Sequence, residues 1–436
     1  MTDPSHPPVP PGSGSAPRLH PQTEMMSLGH DPSGAQGSVK PPVFLTSTFA
    51  FGSAEDGARF FDLAAGRVPL AEGESAGLVY SRFNHPNLQM AEQRLARLDG
   101  SEAALITSSG MSAIGAVLLT FLRPGDQVVL SAPIYGGTET LITKTLREWG
   151  IGAHVMADGL SPSAMAEAMA AAARQGPLRL CYVETPANPT NGLVDLAALR
   201  AQIDAFEARH GQRPVSVCDN TLLGPLFQQP GALGIDLSVY SLTKYVGGHS
   251  DLVAGGLTGA KALIDRVRAT RGAFGMQLDP HSCWMLTRSM ETVVLRMRQA
   301  AQSASTLAHW LAQTHGGRLA HIYHPEQEPD ASYQAIYRRQ CTAAGSTFSI
   351  VLKGGRAAAF RFINALRLFK SAVSLGGSES LVCHPASTTH SGVPAAQREA
   401  DGVGEGLVRL SIGLEHVDDL RTDLDQALTT RSDRMP

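Results

Sequence analysis

The chain has few charged residues for its length, and neither sign dominates. Of its 436 residues, 36 are Lys or Arg and 39 are Asp or Glu, which makes 17% charged and leaves a net charge of −3. Soluble domains average about 25%. Because no run of basic residues exceeds two, the sequence argues against binding to a nucleic acid or to an anionic membrane surface. Together with 43% apolar residues and 44 glycines, the low charge predicts a large core and an additional buried surface between subunits.

Long apolar runs, a secretory signal and paired cysteines are also lacking. The longest apolar stretches, such as 112–119 and 164–173, fall short of the roughly 20 residues that span a bilayer, so no membrane span is predicted. The N-terminus does not show the basic-then-apolar pattern of a signal peptide. The five cysteines include no C-x-x-C pair, which is typical of reduced, buried thiols in a cytoplasmic protein.

Changes in composition predict four regions along the chain. Residues 1–30 are rich in Pro, Ser and Gly, which predicts a disordered tail. Residues 31–85 form an irregular, apolar arm that needs another surface to rest on. Residues 86–275 alternate apolar strands with helices, and residues 276–436 are predicted to form a smaller α+β domain with one long helix near its start.

The alternation predicts the fold class. Helices of about a dozen residues separate most of the apolar segments, as in an α/β protein whose mostly parallel sheet is covered on both faces. The predicted strands are 127–132, 151–156, 178–185, 214–220, 236–241 and 254–259.

Polar side chains follow three neighbouring strands of this predicted sheet. Glu184 and Asn188 come at the end of one, Asp219 ends the next, and Ser241 to Lys244 follow a third. Any one of them is more often an ordinary loop residue. The carboxyl ends of parallel strands meet at one edge of a sheet, however, and ligands bind there. The three ends together predict a ligand site.

The residue types at these ends favour one kind of chemistry. Lys244 lies in a segment of small hydroxyl, apolar and glycine residues, where desolvation would lower its pKa and free the amine to form a Schiff base. Asp219 is a lone acid that needs a cationic partner, and the protonated pyridine nitrogen of pyridoxal phosphate is such a cation.

Other residues are placed to hold the rest of such a cofactor. The segment 108–111 opens an apolar helix, whose free amides and dipole can bind a phosphate group. Ser241 and Thr243 can add hydroxyl donors, and Tyr135 can stack on a flat ring.

Two other enzyme classes fit the sequence less well. Ser241 and Lys244 match the S-x-x-K motif of serine acyl-enzymes, but the companion motifs S-D-N and K-T-G are missing. A zinc site at His384 and His390 lacks a third ligand at suitable spacing. We therefore expect no metal.

Eight segments together resemble the Cys/Met-metabolism (trans-sulfuration) family of PLP-dependent enzymes, which includes cystathionine γ-synthase, cystathionine γ-lyase, methionine γ-lyase and O-acylhomoserine sulfhydrylase. They run in the family's order and cover roughly 35–430. The resemblance implies a fold-type I transferase, with a large cofactor domain and a smaller C-terminal domain, assembled as a homotetramer of two dimers. The segments are YSRFNHPN, SSGMSAI, YGGTETL, ETPANPT, VCDNTLLGP, YSLTKYVGGHSD, SLGGSESLVCHPASTTH and VRLSIGLE.

The resemblance also implies roles for individual residues. Lys244 would hold pyridoxal 5'-phosphate as a covalent aldimine and move protons, and Tyr135 would stack on the ring and act in proton transfer. The implied cofactor-binding residues are Gly110, Met111, Asp219, Ser241 and Thr243, with Tyr80 and Arg82 reaching the phosphate of a neighbouring subunit. The implied substrate-binding residues are Arg409, which would bind the carboxylate, and Asn188, Ser374 and Val373.

Two positions bear on which reaction is catalysed. Members that handle cystathionine usually have Glu where this chain has Val373, and an uncharged wall suits a methionine-like side chain. Methionine γ-lyases usually have Cys where this chain has Gly137. We expect a carbon–sulfur lyase of sulfur amino-acid metabolism that acts by γ-elimination on methionine or homocysteine-like substrates. The alternative is γ-replacement, as in cystathionine γ-synthase or O-acylhomoserine sulfhydrylase.

Overall fold

The computed structural model describes residues 19–64, 66–71 and 77–429. In this part of the chain the strands are β1 Ala103–Thr107, β2 Gln127–Leu130, β3 Gly152–Val155, β4 Leu178–Glu184, β5 Val215–Asp219, β6 Leu237–Ser241, β7 Gly255–Gly259, β8 Leu319–Tyr323, β9 Thr347–Leu352, β10 Lys370–Ser371, β11 Leu381–Cys383 and β12 Leu407–Ser411.

The α-helices of the same residues begin at Pro21 and continue to Thr429. None of those described is both long and apolar enough to cross a membrane. They are α1 Pro21–Glu24, α2 Ala54–Ala64, α3 Pro86–Asp99, α4 Gly110–Phe121, α5 Gly136–Thr140, α6 Pro162–Gln175, α7 Leu196–His210, α8 Gly224–Phe227, α9 Lys261–Phe274, α10 Pro280–Met290, α11 Val293–His315, α12 Ala331–Gln340, α13 Gly355–Ala365, α14 Ala395–Ala400 and α15 Val417–Thr429.

The larger sheet of the described chain has the strand order β1-β7-β6-β5-β4-β2-β3. Its strands pair in parallel except β7, which is antiparallel to both of its neighbours. Alternate residues of β4 belong to different cores: Tyr182 packs in the cluster with α4 and α9, and Val183 packs in the cluster with α6 and α7. Helices therefore cover both faces, and the predicted α/β class with a mostly parallel sheet is confirmed.

The smaller sheet has the order β10-β11-β12-β9-β8, and α11, α13 and α15 supply most of the helical residues in its core. The one long helix predicted near the start of residues 276–436 is divided in the structure into α10 and α11, which are separated at Glu291 and Thr292. The first residues of α11 pack in the same core as α3, and the core of the smaller sheet begins at Ala304. The boundary between the two hydrophobic cores therefore lies within α11 and not after residue 275, where the sequence predicted the division. The helix α11 is shared between the two packing units.

The N-terminal prediction needs a correction. Residues 1–18 lie outside the described residues, but residues 21–24 form a helical turn and Met25 is fully buried against α3. Glu24 also pairs with Arg97 of α3. Disorder through residue 30 is therefore wrong for residues 21–28, because apolar contacts of Met25 and Leu28 and the ion pair of Glu24 hold a stretch of tail-like composition against α3.

In the described residues of the arm, regular structure is limited to a 3₁₀ turn at Pro32–Ala35, α2 and one antiparallel bridge between Thr48 and Tyr80. Much of its apolar surface is not covered by the rest of the described chain, which agrees with an arm that needs another surface. Its large exposed apolar residues are Val39, Phe44, Leu45, Phe51, Phe61, Leu70, Tyr80 and Phe83.

A buried ion-pair network ties the helices around the edge strand β1. The Glu92 carboxylate accepts hydrogen bonds from Arg271 Nη1 at 2.6 Å, Arg268 Nη1 at 2.7 Å and the amide of Ile106 at 3.1 Å. Arg271 also donates to the carbonyls of Ile106 and Phe83. Glu92 therefore compensates a guanidinium that is almost completely buried.

We predict that Glu92→Ala lowers the free energy of unfolding by about 3–5 kcal/mol, because it leaves the Arg271 charge buried without its partner. Urea unfolding followed by circular dichroism measures this change. The control is Glu207→Ala, whose side chain is 48% exposed and lies 3.9 Å from Arg213, and which should cost less than about 1 kcal/mol. If both substitutions lower the free energy of unfolding equally, Glu92 does not have the proposed role of compensating the buried Arg271 charge.

Candidate active site

A cavity of about 340 Å³ lies where β4, β5 and β6 end, and residues of the smaller sheet's domain close it from the other side. The expectation that polar strand ends meet at one edge is thus met. The residues singled out from the sequence that line this cavity are Gly110, Met111, Tyr135, Glu184, Asn188, Asp219, Ser241, Thr243, Lys244, Val373, Ser374 and Arg409.

Lys244 lies in the turn that follows β6, and its amine points across the cavity. Nζ donates a hydrogen bond to Ser374 Oγ at 3.0 Å. Burial and, to a smaller extent, the positive charge of Arg409 lower the pKa of Lys244. A larger fraction of the amine is therefore neutral and able to act as a nucleophile, as expected from the sequence.

Asp219 ends β5 as a buried carboxyl group. Its Oδ1 accepts from the amide and hydroxyl of Thr221, at 3.1 and 2.6 Å, and its Oδ2 accepts from the Tyr182 hydroxyl at 3.2 Å. Burial nevertheless raises the pKa of Asp219. A cation placed beside this group would favour its ionised form. Thr221 was missed in the sequence, although its position two residues after an aspartate is typical of a side chain that caps that carboxylate.

Glu184 ends β4 and is the register partner of Asp219 in the neighbouring strand. Its Oε2 accepts from the amide of Tyr135 at 2.6 Å, and its Oε1 accepts from the amide of Asn188 at 3.0 Å. Burial and the nearby Asp219 carboxylate raise the pKa of Glu184 to about 8. The sequence indicated only that this acid stands at a strand end, because its partners are backbone amides that no side-chain pattern reveals.

The start of α4 forms a cradle for an anion. Ser109 caps the helix by accepting from the amide of Ser112 at 3.0 Å, while the amides of Gly110 and Met111 have no partner within the helix. A Cβ atom at position 110 would lie 3.0 Å from Cβ of Ser241, so glycine allows the helix to approach the turn after β6. Thr243 lies nearby and exchanges hydrogen bonds with the backbone of Ala254.

Arg409, from β12, is buried and lines the cavity. Its Nη1 donates to Oδ1 of Asn188 at 3.0 Å, and its Nη2 donates to the carbonyls of Val373 and Ser374 at 2.6 and 3.0 Å. None of these partners within the described chain is a carboxylate. The guanidinium therefore retains an uncompensated charge that suits a carboxylate ligand.

Tyr135 stands at the mouth of the cavity and is 43% exposed. A Cβ atom at Gly137 would lie 2.6 Å from Cε1 of Tyr135 and 3.2 Å from Sδ of Met111. The missing side chain at position 137 thus leaves the space that the tyrosine ring occupies, so the ring's placement depends on this glycine.

Tyr80 and Arg82 do not line the cavity of their own chain. Tyr80 is 40% exposed. Arg82 donates to the carbonyl of Gly272, and its guanidinium lies 4.3 Å from the ring centroid of Phe83. Their expected contribution to a neighbouring subunit stays a prediction.

The two rejected chemistries gain no support from the geometry. Lys244 Nζ bonds to Ser374 rather than to Ser241, so these side chains do not form the pair that a serine acyl-enzyme needs. The ring nitrogens of His384 are engaged by Ser387 Oγ and the carbonyl of Glu405. Across the described ranges, no group of three or more His, Cys, Asp or Glu residues is arranged to hold a metal ion.

These features fit pyridoxal phosphate. The amine of Lys244, the acid at Asp219 and the cradle at Gly110 face one cavity, and the Tyr135 ring borders it. The uncompensated positive charge of Arg409 is suited to binding the carboxylate of an amino acid.

Comparison with known proteins agrees with this fit. The family described as Cys/Met metabolism PLP-dependent enzyme matches residues 22–429. An L-methionine gamma-lyase of Pseudomonas putida is 40% identical over 409 residues, which cover 93% of this chain and 96% of that protein. An O-succinylhomoserine sulfhydrylase of Pseudomonas aeruginosa is 34% identical over 403 residues, covering 91% and 92%.

A solved structure is similar over almost the same length. It is a cystathionine gamma synthase from Xanthomonas oryzae pv. oryzae in complex with aminoacrylate and cysteine, with a TM-score of 0.82 and 33% identity over 94% of this chain and 98% of that one. The expected fold-type I architecture is confirmed by this likeness. The chain therefore belongs to the Cys/Met metabolism family of PLP-dependent enzymes.

Proposed function

We propose that this protein is a carbon–sulfur lyase that acts by γ-elimination on methionine or homocysteine-like amino acids and releases a 2-oxo acid, ammonia and a thiol. The observation that carries the proposal is the distribution of charge in the cavity. Its acids are Asp219 and Glu184, and both oxygens of Glu184 already accept backbone amides. No further carboxylate among the described lining residues is available for a distal ammonium group, such as that of cystathionine. The uncharged Val373 wall suits an S-alkyl side chain.

The cofactor would be held by residues of this chain at three points. Lys244 would bind pyridoxal phosphate covalently through Nζ, Asp219 would pair with the pyridine nitrogen, and the amides of Gly110 and Met111 would bind the phosphate. The hydroxyls of Ser241 and Thr243 lie at the phosphate end. When bound, pyridoxal phosphate withdraws electrons from the α-carbon of an amino acid.

The remaining residues would bind the substrate and move its protons. Arg409 binds the α-carboxylate, and Asn188 orients the guanidinium through its Oδ1. Lys244 Nζ, released from the cofactor when the amine of the substrate takes its place, would remove the proton from the α-carbon. The hydroxyl of Ser374, 3.0 Å from Nζ, would orient that amine. The phenol of Tyr135, at the mouth of the cavity, would donate a proton to the leaving thiolate.

We further propose a homotetramer of two dimers in which Tyr80 and Arg82 of one subunit contact the phosphate of its neighbour. The exposed apolar side chains of the arm support this assembly, because such a surface is usually covered. A cytoplasmic location is also proposed. It is supported by the five cysteines, all buried with free thiols.

The function is tested by incubating the purified protein with methionine, with cystathionine, and with O-acetylhomoserine plus sulfide. We expect equal amounts of 2-oxobutanoate and thiol from methionine, and yellow protein whose cofactor is trapped on Lys244 by borohydride. Lys244→Ala is the control and should have no turnover. Homocysteine formation from O-acetylhomoserine and sulfide, without 2-oxobutanoate from methionine, would instead establish γ-replacement, the reaction that the sulfhydrylase and synthase relatives favour.

Asp219→Ala should lower kcat by about 10²–10⁴-fold, which corresponds to the roughly 3–5 kcal/mol lost when one partner of a buried ion pair is removed. Cofactor content should change much less, because Lys244 and the phosphate cradle remain. The measurements are steady-state kinetics and the absorbance of released pyridoxal phosphate. Unchanged turnover would refute the pairing of Asp219 with the pyridine nitrogen.

Mixing Arg82→Ala with Lys244→Ala should restore activity if subunits share their sites. After denaturation and joint refolding, part of the hybrid oligomers would contain one site with both native residues. Each variant refolded alone serves as the control and should remain at its own low activity. If the mixture shows no activity above the sum of the two controls, the sites are not shared.

A further inference from the structure

The position of Glu184 is energetically unfavourable for a carboxyl group. A carboxyl group buried beside a second buried carboxyl is disfavoured, both by desolvation and by repulsion between the charges. Glu184 and Asp219 lie opposite each other in adjacent parallel strands, and burial with the Asp219 charge raises the pKa of Glu184 to about 8. Its placement therefore needs a reason other than stability.

The hydrogen bonds of Glu184 supply that reason. Its two oxygens accept from amides of two different loops, that of Tyr135 at 2.6 Å and that of Asn188 at 3.0 Å. Tyr135 places its ring at the cavity mouth, and Asn188 holds Arg409 through Oδ1 at 3.0 Å. One carboxyl group thus connects the proton-transfer side of the cavity with the carboxylate-binding side.

We infer that Glu184 is a positioning residue, which fixes the Tyr135 loop and the Asn188–Arg409 pair relative to each other. It does so through the backbone, so the side chains of Tyr135 and Asn188 stay free to act. A glutamine cannot replace it, because the amide offers one acceptor oxygen and opposes the second N–H with a donor.

Glu184→Gln should therefore lower kcat and raise KM together, and kcat/KM should fall by about 10–100-fold, the loss expected when a buried N–H group is left without its acceptor. Cofactor content and circular dichroism should remain those of the wild type. Glu184→Asp is the second variant, since it keeps the carboxyl group but is one methylene too short to reach both amides. The control is Glu139→Gln, a partly buried acid on α5 that does not line the cavity, which should stay within about twofold.

A positioning role is separated from a general structural one by combining variants. In a Tyr135→Phe background the effect of Glu184→Gln on kcat should shrink, because the phenol is already lost. In an Asn188→Ala background its effect on KM should shrink, because the hold on Arg409 is already lost. A purely structural role would instead give the same factor in every background.

Equal factors in all backgrounds, or kinetics of Glu184→Gln and Glu184→Asp within twofold of the wild type, would overturn the inference. The inference rests on the proposed function only for its assay. The measurements on combined variants use whichever substrate the wild type turns over. The test therefore remains valid even if the reaction is not γ-elimination.

Discussion

The interaction on which the site depends is the bridge made by the Arg409 guanidinium. Arg409 belongs to the smaller sheet, yet it bonds Asn188, which follows β4 of the larger sheet, and the carbonyls of Val373 and Ser374. The segment after β10 is thereby held against the strand ends, and Ser374 reaches Lys244. Arg409 thus joins the two walls of the cavity at the point where the substrate carboxylate is proposed to bind.

Burial of Arg409 and of three other ionisable groups determines the electrostatics of the cavity. Lys244 and Arg409 are buried close enough that Arg409 contributes to the lowered pKa of Lys244. Burial raises the pKa of both Asp219 and Glu184, and at Glu184 the nearby Asp219 carboxylate adds to the effect. A ligand that places a cation at Asp219 and a carboxylate at Arg409 offsets both costs. The proposed cofactor and substrate would therefore supply the opposite charges that these buried groups lack within the described chain.

Much of this arrangement follows from the sequence, and the limits have physical causes. Strand ends can be read from apolar runs, and parallel strands must end at one edge, so Asp219 and Lys244 could be placed together. The Lys244–Ser374 bond joins residues 130 positions apart, and it depends on how two sheets pack rather than on local pattern. The break between α10 and α11 was missed for a similar reason: both helices are amphipathic, and tertiary packing rather than a strong local stop signal separates them.

The cavity of a single chain is open to solvent, and a neighbouring subunit's apolar arm could cover it in the proposed assembly. Tyr135 is 43% exposed and Val253, which also lines the cavity, is 60% exposed. Proton transfer and charge stabilisation weaken when water enters a site, because water screens the charges that do the work. The arm carries exposed apolar side chains next to Tyr80 and Arg82. In the proposed assembly, burying that arm on a neighbour would cover apolar surface and narrow the mouth in one step. Activity and association would then have the same structural cause.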